Sequence, residues 1–187
     1  MQHQRNLCWK LNWYRHSELE GALLLGRLVR HVTAPDLVGQ LTRHCADEAR
    51  HALLWQRTLD ALQLPVVRVF RSYQSFYQDE TEPPTTAVEI LALTHIFEQR
   101  VHRRFTDESR QPGVPQVVLR TYNAMLRDER GHLDWVSSWL SRCDDAEKHL
   151  ERYRRADERV FRRLAPYADR IWDIPGLGQE MLSKDAA

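Results

Sequence analysis

Two short segments of the sequence carry side chains that could bind metal ions. The first is Asp47-Glu48-Ala49-Arg50-His51, and a partial copy, Asp128-Glu129-Arg130-Gly131-His132, follows in the second half of the chain. In an α-helix, residues three positions apart lie one above the other on the same face, so each Glu and its His could contact one ion. This spacing often arises by chance, so it needs support from the rest of the chain.

A further glutamate precedes each segment at almost the same distance. The separation between Glu18 and Glu48 is nearly equal to the separation between Glu98 and Glu129. The chain therefore contains two similar halves, each with one Glu followed by a Glu-x-x-His. One Glu from each of two helices, with a Glu-x-x-His from each of two others, is the ligand set of a carboxylate-bridged two-metal site in a four-helix bundle.

The elements that must carry these residues are four amphipathic helices. Apolar residues recur at three- and four-residue steps over about residues 11–32, 37–62, 87–110 and 116–140. All four candidate glutamates lie on these apolar stripes, where a leucine would be expected, whereas Glu20 and Glu89 point away from them. A carboxylate is costly to bury unless it is paired or binds a metal, so the pattern favours a metal site. Buried ion pairs with Arg are the structural alternative.

The connections predict how the helices are arranged. Residues 65–86 lack helical periodicity, and their length suits a connection that runs along the whole bundle between helices 2 and 3. After the fourth helix, residues 145–166 are predicted to form an Arg-rich fifth helix, most of it a solvated face. We expect an all-α four-helix bundle with one long crossover and an added C-terminal helix. A single domain would comprise the bundle (about 10–142), this helix, and a tail (167–187) whose last residues are disordered.

Composition and charge exclude several classes of protein. The net charge is +1, so only the Arg-rich helix offers a surface for nucleic acid or an acidic partner. The three cysteines are isolated and form no Cys-x-x-Cys, which argues against a disulfide framework or a rubredoxin-type iron centre. No apolar run approaches the length that a membrane span needs, and the N-terminus lacks a signal-peptide core. We therefore expect a cytoplasmic protein that does not enter membranes.

The ligand set limits the identity of the metals. Four carboxylates and two imidazoles balance two divalent ions and suit Fe, Mn or one of each. Zinc is disfavoured, because its usual sites have four ligands that often include Cys. The Asp before each Glu points about 100° away, toward a neighbouring helix. We expect Asp47 to accept the free ring N–H of His132, and Asp128 that of His51.

Two other histidines lie near the predicted ligands. His44 is one turn before Glu48 on the same stripe, and His102 is one turn after Glu98 at the border of its stripe. His44 is either a core histidine with a hydrogen-bond partner, an extra metal ligand or a group that faces substrate. For His102 we expect a structural or outer position, with metal binding or a position facing substrate as the alternatives.

The motifs resemble those of the ferritin-like di-iron carboxylate superfamily over about residues 11–140. Residues 47–51 match the Asp-Glu-x-Arg-His form of its O₂-activating branch, which includes bacterial multicomponent monooxygenases, acyl desaturases and the small subunit of class I ribonucleotide reductase. The second segment departs from that form, with Gly131 where Arg would stand, so Arg50 alone would make the outer contact. In size the chain is closer to ferritins, rubrerythrins and small tRNA hydroxylases. The resemblance implies a ferritin-like bundle and reductive activation of O₂ at two iron ions.

Two functional interpretations follow. One is an oxidase or oxygenase that acts on a small organic or carrier-bound substrate, with O₂ as cosubstrate and an external reductase as electron donor, because the chain has no Gly-x-Gly-x-x-Gly motif and no Cys-ligated cluster. Its predicted pocket consists of mostly apolar residues next to the ligands: Leu25, Trp55, Phe105, Tyr122, Met125 and Val136. The other is an iron-handling or peroxide-consuming protein. A structural bundle, or a regulatory protein with a vestigial site, also stays open, as does a homodimer.

Overall fold

A computed structural model describes residues 2–179, which form an all-α helical bundle as predicted. The five α-helices are α1 (Gln2–Val29), α2 (Pro35–Ala61), α3 (Ala87–Ser109), α4 (Gln116–Leu140) and α5 (Ala146–Leu164). Helix α1 packs along α2 and α3 packs along α4, while α2 meets α4 and α5 covers α3. None of the helices within residues 2–179 combines the length and the apolar character that a membrane span needs. The helices thus surround one hydrophobic core.

Local sequence signals explain where the helices begin. Pro35 opens α2, where its missing N–H costs nothing. Thr86 and Glu89 form a capping box at the start of α3, so Glu89 lies at the helix end and away from the bundle centre, as expected. Helix α1 begins at Gln2, well before its predicted start. The side chain of Asn6 explains the extension, because it bonds the Ala168 carbonyl and the Ile171 N–H near the C-terminus.

The long crossover between α2 and α3 occupies residues 62–86. It contains a 3₁₀ helix (Gln74–Asp79) and a two-residue strand, β1 (Arg68–Val69). Tyr73, Phe76 and Tyr77 are buried against the bundle, whereas Phe70 is half exposed. The Nε1–H of Trp13 donates to the Arg71 carbonyl at 3.0 Å. Aromatic packing and hydrogen bonds from α1 therefore hold most of the crossover along the bundle.

The C-terminal segment holds the crossover in place through a short pairing of β-strands. Strand β2 (Gly178–Gln179) pairs antiparallel with β1, with Gly178 opposite Val69. A Cβ at Gly178 would collide with the Arg68 carbonyl oxygen, so this approach requires glycine. Ile171, Ile174 and Leu177 are buried, which places this part of the predicted tail against the bundle. The predicted disorder of the last residues falls on 180–187, which lie outside the described residues.

Helix α5 divides into a buried face and a charged face. Tyr153, Ala156, Val160 and Leu164 are buried, and most of the arginines pair with acidic neighbours. These pairs lie on α5 itself or reach the crossover: Arg154 and Arg155 with Glu151, Arg162 with Glu158, Arg159 with Glu80, and Arg163 with Asp79 and Glu80. The arginine run is thus largely compensated within the chain.

One buried carboxylate joins α5 to α3 and to the crossover. Asp157 is 2% exposed. Its Oδ2 accepts from Arg100 Nε at 2.9 Å and Nη2 at 2.5 Å, and its Oδ1 accepts from Tyr77 at 2.9 Å and from Tyr73 at 3.2 Å. Each polar atom of this network has a partner, which is the condition under which a buried charge is tolerated. Asp157 therefore holds three elements together.

Replacing Asp157 by Ala should destabilise the protein strongly. The change leaves a partly buried guanidinium and two buried hydroxyls without their acceptor, and breaking such a pair costs about 3–5 kcal/mol. Urea unfolding followed by circular dichroism measures the loss. The control is Glu158→Ala, an exposed neighbour paired only with the exposed Arg162, for which we expect a change within about 0.5 kcal/mol. Equal midpoints for the two variants would contradict the role given to Asp157.

Candidate metal centre

The bundle centre collects seven potential ligands from four helices. All of them are buried, with exposed fractions of 5% or less. Six are the residues predicted from the sequence, and the seventh is His44. They are Glu18 on α1, His44, Glu48 and His51 on α2, Glu98 on α3, and Glu129 and His132 on α4. The amphipathic stripes therefore converge as their spacing predicted.

These residues form two groups that share one carboxylate. We call Glu18, Glu48, His51 and Glu129 the His51 group, and His44, Glu48, Glu98 and His132 the His44 group. Within each group the ligand atoms all lie within 4.8 Å of one another. Either group could hold a metal ion, and Glu48 could contact both ions. The sequence pattern predicted the members but not this division, and the Glu129 carboxylate lies 3.8 Å from Nδ1 of both His51 and His132.

Several buried polar atoms of the two groups have no hydrogen-bond partner among the described residues. They are both ring nitrogens of His44, Nδ1 of His51, Nδ1 of His132, both carboxylate oxygens of Glu98 and Oε2 of Glu129. Buried polar atoms are nearly always satisfied, so such a concentration needs an explanation. Nδ1 of His51 lies 3.7–3.8 Å from one oxygen of each carboxylate in its group. Ligands that share an ion at about 2.1 Å stand roughly 3–4 Å apart, so the donor set fits a bound metal.

Burial and mutual charge shift the pKa values of the group members. Burial raises the pKa of Glu18 and of Glu98, and the Glu48 carboxylate raises that of Glu18 further. Burial opposes ionisation of Glu48 as well, but the histidines around it lower its pKa to about 2. Burial disfavours charge on His51, yet the three carboxylates of its group raise its pKa to about 10. Without metal the centre therefore holds protons, which a metal ion would displace.

Outer contacts orient two of the histidines. Nε2 of His51 lies 3.2 Å from Oδ2 of Asp128, and Nε2 of His132 lies 3.3 Å from Oδ2 of Asp47. These are the two cross-helix pairs expected from the sequence. Arg50 lies between them and donates to Asp47 and to Asp128, at 2.9 Å each. Each ring nitrogen that faces outward is therefore held by a carboxylate, which leaves Nδ1 facing the centre.

Gly21 makes room for the shared carboxylate. It lies one turn after Glu18 on α1, and a Cβ at this position would stand 2.7 Å from Oε2 of Glu48. Real Cβ atoms essentially never come that close to another heavy atom, so Glu48 would have to move. Gly21 therefore packs against a candidate ligand.

The centre approaches open space on two sides. Between α2 and α4, a polar cleft of about 270 Å³ reaches His44 and His132, and its other lining residues are Gln40, Arg43, Asp47, Arg127, Asp128, Gly131 and Trp135. Between α1 and α3, a cavity of about 20 Å³ touches Glu18 and is lined largely by aromatic rings, with Arg100 and Arg104. The centre is thus polar on its histidine side and largely aromatic beside Glu18.

The predicted pocket residues are mostly packed core. Phe105 lines the small cavity beside Glu18. The other five (Leu25, Trp55, Tyr122, Met125 and Val136) are no more than 2% exposed and line neither of these two openings. Sequence reasoning missed Tyr14, which packs against Trp55 and Phe105 and, like Tyr122, donates to Glu108. These rings form an aromatic layer, of which only Tyr14 and Phe105 also line the small cavity.

The second histidine left open by the sequence lies outside both groups. His102 is half-buried on α3, and among residues 2–179 only His44 joins the predicted ligands.

No family model, curated protein or solved structure matches this chain. The centre must therefore be interpreted from its own chemistry.

Replacing Gly21 by Ala should lower metal affinity without lowering the stability of the metal-free protein. Alanine is favoured in a helix interior by roughly 1 kcal/mol, so the metal-free protein should gain stability or keep it. Metal affinity should fall, because the new methyl group displaces Glu48. Isothermal titration with Co²⁺ and thermal unfolding measure the two effects. Gly39→Ala on α2 is the control, since a Cβ there meets nothing within 4 Å; equal affinities in the two variants would refute this role of Gly21.

Replacing Asp47 or Asp128 by Asn should weaken metal binding about 10- to 100-fold while the fold persists, which is the usual effect of losing such a partner. Titration with Co²⁺ gives the affinities. Asp134→Asn, an exposed change on α4, is the control. Because the pairs cross the bundle, Asp47→Ala combined with His132→Ala should be little worse than His132→Ala alone. Full additivity in that pair would contradict the arrangement.

Proposed function

We propose that this chain is a ferritin-like, non-haem di-iron oxidase or oxygenase. It would use O₂ to hydroxylate, desaturate or cleave a small organic or carrier-bound substrate. The observation that carries this proposal is Glu48, one carboxylate common to two buried ligand groups. A shared carboxylate suits two adjacent ions, and mixed carboxylate and imidazole ligands suit Fe, Mn or one of each.

The protein's own side chains would prepare this centre for O₂ chemistry. Iron ions held there would supply the capacity to reduce O₂, which protein side chains lack. Asp47 and Asp128 fix the rings of His132 and His51, and Arg50 holds both aspartates. The four helices bury every member of the two ligand groups. The cavity beside Glu18 has room for a molecule of the size of water or O₂.

An external electron donor is part of the proposal. Reductive activation of O₂ needs electrons, and the sequence carries neither a dinucleotide-binding motif nor a Cys-ligated cluster. The partner would be a separate reductase. The arginines of α5 are mostly paired within the chain, so the structure offers no particular support for binding of nucleic acid there.

An iron-handling protein of the ferritin or rubrerythrin kind, with ferroxidase or peroxidase activity, is the second candidate. The polar cleft between α2 and α4 favours it, because iron uptake needs a hydrophilic path to the centre. Size separates the two candidates, since storage requires a shell of many subunits. Light scattering of the purified protein should therefore give a monomer or dimer if the oxygenase proposal holds, and a large assembly if storage does.

Anaerobic titration with Fe²⁺ should give two ions per chain, and mixing with O₂ should produce an optical and Mössbauer change that the metal-free protein lacks. Glu18→Ala removes a carboxylate of the His51 group and should reduce the stoichiometry to one. Glu20→Ala is the matched control, because Glu20 is exposed on the same helix and should leave two ions bound. A centre emptied by Glu20→Ala but not by Glu18→Ala would overturn the ligand assignment, and two ions without a reaction with O₂ would overturn the proposed activity.

A further inference from the structure

The two ligand groups differ in composition. The His51 group contains three carboxylates and one imidazole, whereas the His44 group contains two carboxylates and two imidazoles. The second imidazole is that of His44, because without it each group would have a single histidine. The role of His44 therefore decides whether the two metal positions differ in their nitrogen ligands.

His44 has the surroundings of a ligand rather than those of a core histidine. It is 1% exposed, and its Nε2 lies 2.6 Å from Oε1 of Glu98 and 3.3 Å from Oε1 of Glu48. Its ring stacks on His132 with centroids 3.7 Å apart. Neither nitrogen has a partner in hydrogen-bond geometry among the described residues. A structural histidine is normally anchored by a hydrogen bond, whereas Nε2 of His44 lies close to two carboxylates without hydrogen-bond geometry, which fits a metal ligand better.

The polar cleft adds a second difference between the positions. It reaches His44 and His132 of the His44 group, and its walls carry Asp47 and Asp128 together with Arg43 and Arg127. The cavity on the other side of the centre touches Glu18 of the His51 group, has a mostly apolar lining, and is about 20 Å³ in volume. A hydrated cation keeps favourable contacts along a polar path, and it loses them in an apolar one. The His44 group is therefore the one that incoming ions reach first.

We infer that His44 is a seventh metal ligand, and that the His44 group is the tighter of two unequal positions, filled first through the cleft between α2 and α4. This inference rests on the proposed two-metal centre but not on its reactivity. The extra imidazole also gives the positions different preferences. Nitrogen ligands favour Fe²⁺ and Co²⁺, and a carboxylate-rich set accepts Mn²⁺ more readily. The His44 group should therefore discriminate more strongly against Mn²⁺.

Titration of the metal-free protein with Co²⁺ tests whether the two positions differ in metal affinity, without any O₂ chemistry. The wild-type protein should bind two ions in two resolved steps. His44→Gln should weaken the first step about 10-fold or more, at least the usual loss for an altered metal shell, and should leave the second step nearly unchanged. His102→Gln is the control and should match the wild type. Two equal steps in the wild type, or an unchanged first step in His44→Gln, would overturn the inference.

A measurement on the wild-type protein tests the inference even if the His44→Gln variant fails to fold. X-ray absorption at the Co edge, with one Co²⁺ bound per chain, counts the imidazoles around the first ion. Two imidazoles support the assignment of His44 and His132, and one imidazole refutes it. If the Co²⁺ results hold while iron-loaded protein does not react with O₂, the proposed function fails and the unequal positions stand.

Filling the cleft tests the route of entry. Gly131 lines the cleft on α4, and a Cβ there meets nothing within 4 Å, so Gly131→Phe would place a ring in the opening. Stopped-flow binding of Co²⁺ should then be slower, with little change in affinity. Gly39→Phe adds the same ring at another open helical position and is the control. Equal rates for the two variants would show that ions enter elsewhere.

Discussion

Charge compensation among buried ligands is the interaction on which this structure depends. Four carboxylates and three imidazoles lie where a bundle of this size would otherwise place leucine, and each charge alone would cost several kcal/mol to desolvate. Together the two kinds of group offset one another, with the ionised Glu48 held among three histidines. The neighbouring structure follows from this arrangement. Glycine faces Glu48 across the helix contact, and a salt-bridged Arg50 joins the two aspartates that hold the outer ring nitrogens.

The sequence predicted the ligands because helix periodicity fixes the direction of each side chain around its axis. Glu18, Glu98 and both Glu-x-x-His pairs all reach the centre, and so do the aspartates beside them. Periodicity does not determine the position of one helix along its axis relative to its neighbour. The approach of Glu129 to the histidines of both halves depends on that relative position, and so does the approach of His44 to Glu98. These features could be seen only once the helices were packed.

The cleft and the cavity beside the centre were the least predictable part of the structure. An apolar residue next to a ligand has the same sequence signature whether it lines a void or fills one, because packing at near-crystalline density is decided by how neighbours interlock. Trp55, Tyr122 and Met125 turned out to fill space. The larger opening at the centre arises instead between α2 and α4, beside Gly131, which was noted in the sequence only as a departure from a motif. Gly131 on the surface of α4 was therefore more informative about access to the centre than the apolar residues next to the ligands were.

The pairing of β1 with β2 has a consequence for the order in which the protein is completed. The ligands and the crossover all precede α5 in the chain, but Val69 of the crossover pairs with Gly178, which lies beyond α5. Asn6, at the start of α1, likewise bonds Ala168 and Ile171. On the ribosome, the four ligand-bearing helices are therefore present before the crossover and the first turns of α1 can obtain their last partners. Any metal ion that binds during synthesis would therefore meet all the candidate ligands before these outer connections can form.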